Sequence, residues 1–237
     1  MQRHQLEHII RAASAITDRY EIVVVGSQSI LGSVPCPPAE CTVSMEADVF
    51  PLGAEELSDV IDGAIGEGSP FHDTFGYYAQ GVDSTTSILP AGWLKRVVRI
   101  QSEGTNGRVG YCLDPTDLFL AKCAANREKD RVFNLALLRA GIVNPEEART
   151  RASEMPLTTD QRRRLLALVV RLAGDAHAPI PAPSLKAGGH ATLRPARKKR
   201  ATKPRGPSRD PRARACRDSS GPARRPRIGV TCRGRAG

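Results

Sequence analysis

The distribution of apolar residues over the first fifty positions predicts one helix followed by two strands. Residues 3–18 carry apolar side chains at helical spacing, which predicts an amphipathic helix. The β-branched run from Ile22 to Val25 is too short for a buried helix and predicts an interior strand. Residues Thr42 to Phe50 alternate and predict a second strand with two different faces. One face receives Val43, Met45, Ala47 and Val49, and the other receives Ser44, Glu46, Asp48 and Phe50.

The middle of the chain predicts another helix and three more strands. Residues 52–65 place apolar side chains along one helical face. The segment Gly66–Asp73 is predicted to be a loop that leads into a strand over Thr74–Gly81. The short strands 95–102 and 108–113 flank the sequence Gly-Thr-Asn-Gly, whose turn chemistry predicts a hairpin.

The next part of the chain is predicted to be helical. Asp114-Pro115 has the form of a helix start, because a capping acid precedes a proline at the first helical position. A second helix should run from about Glu128 and end at Gly141, and two more helices should follow, from Pro145 and from Thr158. The element order predicts an α+β protein with a mixed β-sheet flanked by helices and a C-terminal helical bundle.

The charge distribution separates the end of the chain from the rest. Residues 181–237 contain 17 basic and two acidic residues, a net charge of +15, which leaves −5 for residues 1–180. This last segment has almost no large apolar residue, so we expect a disordered, Arg- and Pro-rich tail that attracts polyanions such as nucleic acid. We therefore predict a core over residues 1–112, a helical subdomain over 113–177 and a disordered tail over 178–237.

Cysteine usage and the N-terminal sequence favour a reducing compartment. The six cysteines form no C-x-x-C pair and have no accompanying histidine cluster, which argues against a structural zinc site. Met1 is followed by polar residues without an apolar signal region, and no apolar run approaches the length needed to span a membrane. These features predict a soluble cytoplasmic protein without membrane association.

Two features around the first strands suggest chemistry on a nucleotide. Gly26 and Ser27 follow the first strand, and Ser27 is predicted to cap a short helix that begins at Gln28, a setting whose free N–H groups suit a phosphate. Glu46 and Asp48 should project from one face of one strand, where two like charges favour a bound hard cation such as magnesium. A solvated outer face of a strand has the same spacing, so spacing alone leaves both interpretations open.

A family resemblance favours the nucleotide site. Gly26-Ser27-Gln28 followed by Ser44-Met45-Glu46-Ala47-Asp48 is similar to the Gly-Ser and acidic-x-acidic motifs of the nucleotidyltransferase superfamily. More narrowly, it resembles the DUF6036 group related to AbiEii-type abortive-infection toxins. The resemblance implies a nucleotidyltransferase-like sheet, a triphosphate held by residues 26–28, and magnesium bound by the acidic pair.

A second motif lies in the predicted helices. The sequence D-L-x-x-x-K-x-x-A-x-R-x-K-D resembles the helical motif that follows the sheet in AbiEii-like and DUF6036-type proteins, in which Lys and Asp positions belong to the active-site cleft. Solvated charges at a helix–helix corner are the alternative interpretation. The resemblance implies that three cations, Lys122, Arg127 and Lys129, offset the negative charge of the triphosphate, and that Asp130 orients one of them.

The resemblance implies transfer of a nucleotidyl group from a nucleoside triphosphate, with Mg²⁺, to an RNA or protein acceptor such as a transfer RNA end or a protein hydroxyl. A toxin with a cognate antitoxin would fit the same resemblance. Many superfamily members have a third carboxylate on a later strand, and Glu103 is the best candidate for it. The alternatives are a nucleotide-binding module that has lost turnover, and an antitoxin-type interaction protein whose basic tail binds nucleic acid.

Overall fold

The computed structural model describes residues 1–177, and the predicted disordered basic tail lies outside this range. The sheet is built from five strands. They are β1 (Glu21–Val25), β2 (Glu46–Pro51), β3 (Tyr78–Gly81), β4 (Val98–Ile100) and β5 (Val109–Cys112). Their order is β3-β2-β1-β5-β4, with β1–β5 and β2–β3 parallel and with β1–β2 and β4–β5 antiparallel. The predicted mixed sheet and the hairpin at its edge are therefore confirmed.

Helices precede, interrupt and follow the sheet. The eight α-helices of the described residues are α1 (Arg3–Thr17), α2 (Ile30–Ser33), α3 (Ser58–Ile65), α4 (Pro70–Phe75), α5 (Pro115–Ala125), α6 (Glu128–Arg139), α7 (Pro145–Arg151) and α8 (Thr159–His177). None of the helices within residues 1–177 combines the length and the apolar character needed to cross a bilayer. The α+β class and the bundle of α5–α8 match the prediction, while the subdivision at residues 112–113 stays a prediction.

The central strand β1 organises the hydrophobic core. Ile22, Val23 and Val24 are fully buried, because β1 has a strand on each side and helices cover the sheet. Helix α1 packs its buried apolar side, which includes Leu6 and Ile9, against the sheet. Burial of a large aliphatic side chain contributes about 1.5–3 kcal/mol, so this layer is a main source of stability. It fixes the position of Gly26, the residue that follows β1.

Helix α5 begins where the sequence predicts. The Asp114 carboxylate accepts hydrogen bonds from the backbone N–H groups of Thr116 (2.9 Å) and Asp117 (3.3 Å), and Pro115 occupies the first helical position. Because α5 follows directly after β5, which is parallel to β1, it starts at the end of the sheet where Gly26 lies. This placement brings the residues of α5 towards the turn after β1.

Strand β2 is shorter than the alternation predicts. It begins at Glu46, and the N–H of Glu46 donates to the Ser44 hydroxyl (3.1 Å). Val43 and Met45 precede the strand and are 78% and 48% exposed, so the predicted strand over Thr42–Phe50 is too long at its start. Ala47 and Val49 are fully buried, and the predicted alternation holds only where the strand is paired.

The predicted loop Gly66–Asp73 is wrong, because it contains most of helix α4. The Ser69 hydroxyl accepts a hydrogen bond from the N–H of His72 (3.2 Å), and Pro70 occupies the first helical position. The helix ends at Gly76, whose φ of 73° is left-handed. The strand that follows therefore begins at Tyr78 rather than Thr74.

Candidate functional site

The turn after β1 brings the backbone of Gly26 against Asp48. Gly26 has φ 67° and ψ −164°, a conformation essentially restricted to glycine. A Cβ atom at this position would lie 1.8 Å from Oδ2 of Asp48. Ser27 is the first residue of a 3₁₀ turn rather than a helix cap, so the predicted capping role is wrong. The capping position belongs to Gly26, and its carbonyl accepts a hydrogen bond from the Ser29 hydroxyl (2.9 Å).

Glu46 and Asp48 line the same cleft from β2, and we call this acidic pair the shelf. Burial, followed by a hydrogen bond to Glu46 and the negative charge of Glu46, raises the pKa of Asp48 to about 7. The positive charges of Lys122 and Lys129 act in the opposite direction and offset part of this rise. Because the two carboxylates repel each other when both are charged, ionisation of both is unfavourable when no cation lies between them.

The chemistry of the shelf fits a hard divalent cation. Both side chains that would bind the cation offer carboxylate oxygens. The Asp48 carboxylate lies against the backbone at Gly26, so the shelf and the Gly26-Ser27 turn line the same cleft. Within residues 1–177, no group of three or more His, Cys, Asp or Glu side chains is arranged to hold a metal. Magnesium is the cation that suits such a shelf, because it commonly binds through one or two carboxylates and takes its remaining ligands from water and substrate phosphates.

The junction of α5 and α6 places a buried lysine beside the turn. Lys122 Nζ donates to the Ser27 hydroxyl (2.9 Å) and to Asp130 Oδ1 (3.0 Å), and it lies 4.4 Å from the centre of the Phe133 ring. Only 7% of the Lys122 side chain is exposed. Burial lowers the pKa of Lys122, and the charge of Asp130 offsets part of that effect. The ammonium group is thus held next to the hydroxyl that begins the turn.

Asp130 offsets the positive charge of Lys122 and Arg127 at this junction. Its side chain is fully buried and accepts hydrogen bonds from Arg127 Nε (2.6 Å) and from Lys122. Burial raises the pKa of Asp130, but the hydrogen bonds from these two cations outweigh burial, and the net pKa lies below its usual value. Arg127 remains 60% exposed, so its guanidinium is both anchored and accessible.

A cleft of about 990 Å³ joins these elements. Seven of the nine residues predicted for the site line it, namely Gly26, Ser27, Glu46, Asp48, Lys122, Arg127 and Lys129. Asp130 does not line the cleft, but it accepts hydrogen bonds from two residues that do, Lys122 and Arg127. Gln28 is fully buried and donates its side-chain amide to the Ser44 carbonyl (3.2 Å), so the structure places it outside the cleft.

Glu103 is wrong as the third carboxylate. It lies in the turn after β4, next to Gly104, whose carbonyl accepts a hydrogen bond from Arg11 of α1 (2.7 Å). The same turn precedes β5, whose first residue pairs with Glu21 at the start of β1. The shelf faces the other end of β1, so the length of the sheet separates Glu103 from it.

Sequence reasoning missed two neighbours of the shelf on β3. Tyr78 donates its hydroxyl to Glu46 Oε2 (3.3 Å), and Gln80 pairs in register with Asp48. The ring of His72 lies 4.6 Å from the ring of Tyr78. No sequence signal identifies β3 as the neighbour of β2 or gives the register of the pair, and both were needed to find these contacts.

Comparisons with known proteins identify the family. No curated protein matches this chain at a significant level, and no solved structure does. The family model described as "Nucleotidyltransferase of unknown function (DUF6036)" matches residues 4–141, which is more than half of the chain. The match contains the β-sheet, α5 and α6, and with them every residue predicted for the site. The chain belongs to the DUF6036 family of nucleotidyltransferases of unknown function.

Proposed function

We propose that the protein uses Mg²⁺ to transfer a nucleotidyl group from a nucleoside triphosphate to a hydroxyl of an RNA or protein acceptor. One observation carries the proposal: a single cleft contains an acidic pair on β2, the Gly26-Ser27 turn and the cations of the α5–α6 junction. In the transfer, the acceptor oxygen forms a bond to the α-phosphorus and the bond from that phosphorus to the bridging oxygen breaks. Pyrophosphate leaves with the electron pair, and the hydroxyl proton passes to water.

The residues of the cleft have separate roles in this proposal. The Gly26-Ser27 turn binds the β- and γ-phosphates through backbone N–H groups. Lys122, Lys129 and Arg127 offset the negative charge that develops on the phosphates, and Asp130 orients Lys122 and Arg127. Glu46 and Asp48 hold the magnesium ion. When bound, Mg²⁺ withdraws charge from the phosphate oxygens and aligns the reacting groups.

The resemblance of the α5–α6 motif to AbiEii-like proteins extends the proposal to a biological role. We propose that the chain is the toxin of a toxin–antitoxin pair, with a cognate antitoxin as its partner. Induced expression of the full chain should then arrest bacterial growth, and expression of Asp48→Ala should not. Growth arrest by both chains would contradict a toxic role that depends on transfer.

Label transfer tests the enzymatic proposal directly. The purified full chain is incubated with Mg²⁺ and each α-³²P-labelled nucleoside triphosphate, with transfer RNA or a bacterial lysate as acceptor. We expect labelled RNA or protein with the wild type, and a loss of at least about a hundredfold with Glu46→Ala or Asp48→Ala. Glu103→Ala is the matched control, because it removes an exposed carboxylate at the opposite end of the sheet and should retain the transfer rate.

A second candidate function is nucleotide binding without transfer. The observation that favours it is that residues 1–177 contain no third acid grouped with the shelf. In that case, the wild type should bind a nucleoside triphosphate in a magnesium-dependent manner, measured by calorimetry, while no label reaches any acceptor. Transfer by the wild type that is lost in Asp48→Ala would exclude this candidate.

A further inference from the structure

Strand β3 places a second row of side chains beside the shelf. β2 and β3 are parallel, and their register pairs Glu46 with Tyr78 and Asp48 with Gln80. Residues paired in register project from the same face of a sheet. The structure agrees with this rule, because Tyr78 hydrogen-bonds to Glu46, and both Gln80 and Asp48 line the cleft. The side chain beside Asp48 is therefore a neutral amide.

The neutral charge of Gln80 limits how much positive charge the shelf can hold. In two-metal sites the ions lie roughly 3.5–4 Å apart and repel each other, so each carboxylate added to the triphosphate oxygens favours binding of the second ion. Here, Glu46 and Asp48 supply at most two negative charges, and within the described residues no third metal-binding acid joins them. A glutamate at position 80 would supply the missing charge from the position paired with Asp48.

Other acids in the cleft wall do not replace a carboxylate at position 80. Glu55 accepts a hydrogen bond from the Ser84 N–H (2.9 Å), and Asp83 accepts one from the Thr85 N–H (2.8 Å). Both side chains thus stabilise the segment after β3 instead of joining the shelf. Glu40 and Asp59 also line the cleft, and within residues 1–177 neither of them forms a three-acid metal-binding group with the shelf. Asp48 is the acid whose carboxylate lies against the backbone at Gly26.

We propose that Gln80 restricts the shelf to one divalent cation, which enters with the nucleotide. The inference rests on the proposed function, because it assumes that the shelf binds a metal–nucleotide complex. Without a third carboxylate, a second ion that would contact the acceptor hydroxyl binds too weakly to be retained. Gln80 thus determines the metal stoichiometry of the site, and Gln80→Glu should create a second cation site without any other change in the cleft.

Equilibrium dialysis of the full chain against Mn²⁺ tests this proposal. Mn²⁺ replaces Mg²⁺ as the probe because its paramagnetism allows bound and free ion to be counted. Dialysis is carried out with each of the four α,β-methylene nucleoside triphosphates in turn, which are not cleaved at the α-phosphate. We expect one bound Mn²⁺ per chain for the wild type and two for Gln80→Glu.

Gln161→Glu is the matched control. Gln161 is exposed in the first turn of α8, where its side chain accepts a hydrogen bond from the Thr158 N–H (2.9 Å), and a glutamate can make the same bond. This variant adds the same charge away from the cleft, so it should bind one Mn²⁺ like the wild type. Thermal melting of each variant checks folding, and Gln80→Asp provides the added carboxylate if Gln80→Glu does not fold.

The outcomes separate the inference from the proposed function. If the wild type retains no Mn²⁺ with any nucleotide, the proposed function itself fails. If the wild type retains one ion and the folded position-80 variants also retain one, only the role of Gln80 is overturned. Two ions on the wild type overturn the inference whatever the variants show.

Discussion

Asp48 on the sheet and Asp130 in the helical layer are two shielded aspartates whose pKa values are shifted in opposite directions. Asp130 is fully buried and is paired with Lys122 and Arg127, so its pKa lies below the usual value. Asp48 lies beside Glu46, and burial together with that neighbour raises its pKa to about 7. The first carboxylate is neutralised by the protein, and the second is not.

Charge balance distinguishes a structural acid from a cation-binding acid. A buried carboxylate that has cationic partners stabilises the fold, and removing it leaves those partners unpaired. A carboxylate that faces another acid reduces stability until an external cation or a proton neutralises it. Opposite effects on stability should therefore follow from the same substitution at the two positions.

Asp130→Asn should have the largest effect on stability. The substitution removes the charge that balances the buried ammonium of Lys122, so we expect the free energy of unfolding at pH 7 to fall by about 3 kcal/mol. Urea denaturation measures the change. The control is Asp160→Asn, which breaks an exposed ion pair with Arg163 in which both side chains are more than 70% exposed. That variant should unfold at the wild-type midpoint, and an equal loss in both variants would contradict the role of Asp130.

Asp48→Asn should instead stabilise the metal-free protein. The amide resembles the protonated acid, so it escapes the repulsion from Glu46 and the cost of burying charge. The full pKa difference corresponds to roughly 4 kcal/mol, and because Asp48 is only half-buried we expect a gain of about 2 kcal/mol at pH 8. Urea denaturation in the presence of a chelator measures the gain. A loss of stability at pH 8 would show that the comparison of the two aspartates is wrong.

The pH dependence of this gain has a definite sign. The pKa of Asp48 is about 7 in the folded protein and 3.8 in the unfolded chain, so the folded state retains a proton that the unfolded chain has lost. Wild-type stability should fall between these two values as the pH rises, whereas that of Asp48→Asn should not fall over this interval for this reason. The two proteins should therefore differ little below pH 3.8 and show a constant difference above pH 7.

Tyr78→Phe should have the smallest effect and should act on metal binding. It removes the hydrogen bond to Glu46, so Mn²⁺ affinity in the presence of a nucleotide analogue should fall by about tenfold. Tyr77→Phe is the matched control, since the Tyr77 hydroxyl bonds to His8 of α1 (2.8 Å) and does not contact the shelf. Calorimetric titration should show wild-type affinity for the control. Equal losses of affinity in both variants would indicate a general change around β3 and would contradict the role of the Tyr78 hydroxyl.

Local features of the sequence were sufficient to predict much of the fold. The apolar run of β1, the Asp114-Pro115 helix start and the turn of the β4–β5 hairpin each depend on residues close together in the chain, and all three are confirmed. Helix α4 also has a local signal, Ser69-Pro70, which the aromatic residues after it obscured. The second strand begins later than the predicted Thr42 because pairing with β1 and β3 begins only at Glu46 and its neighbours.

The candidate site depended more on contacts between distant segments. The resemblance identified Ser27, Asp48 and Lys122 as members of one site, and all three line the cleft. Strand order and register determine that Gln80 lies beside Asp48, and the same information excludes Glu103. Neither quantity follows from alternation along one strand, because pairing is decided by the packing of the whole sheet.

Because Gly26 lies against Asp48, the residue after the first strand and the acid on the second strand cannot be substituted independently. A methyl group at position 26 would occupy the space of the Asp48 carboxylate and would also require a backbone conformation that side chains rarely adopt. Gly26→Ala is thus a purely steric means of moving an acid, since it leaves every formal charge of the protein as it was. A substitution at position 26 therefore tests the effect of where the Asp48 charge lies, whereas a substitution of Asp48 itself tests the effect of removing that charge.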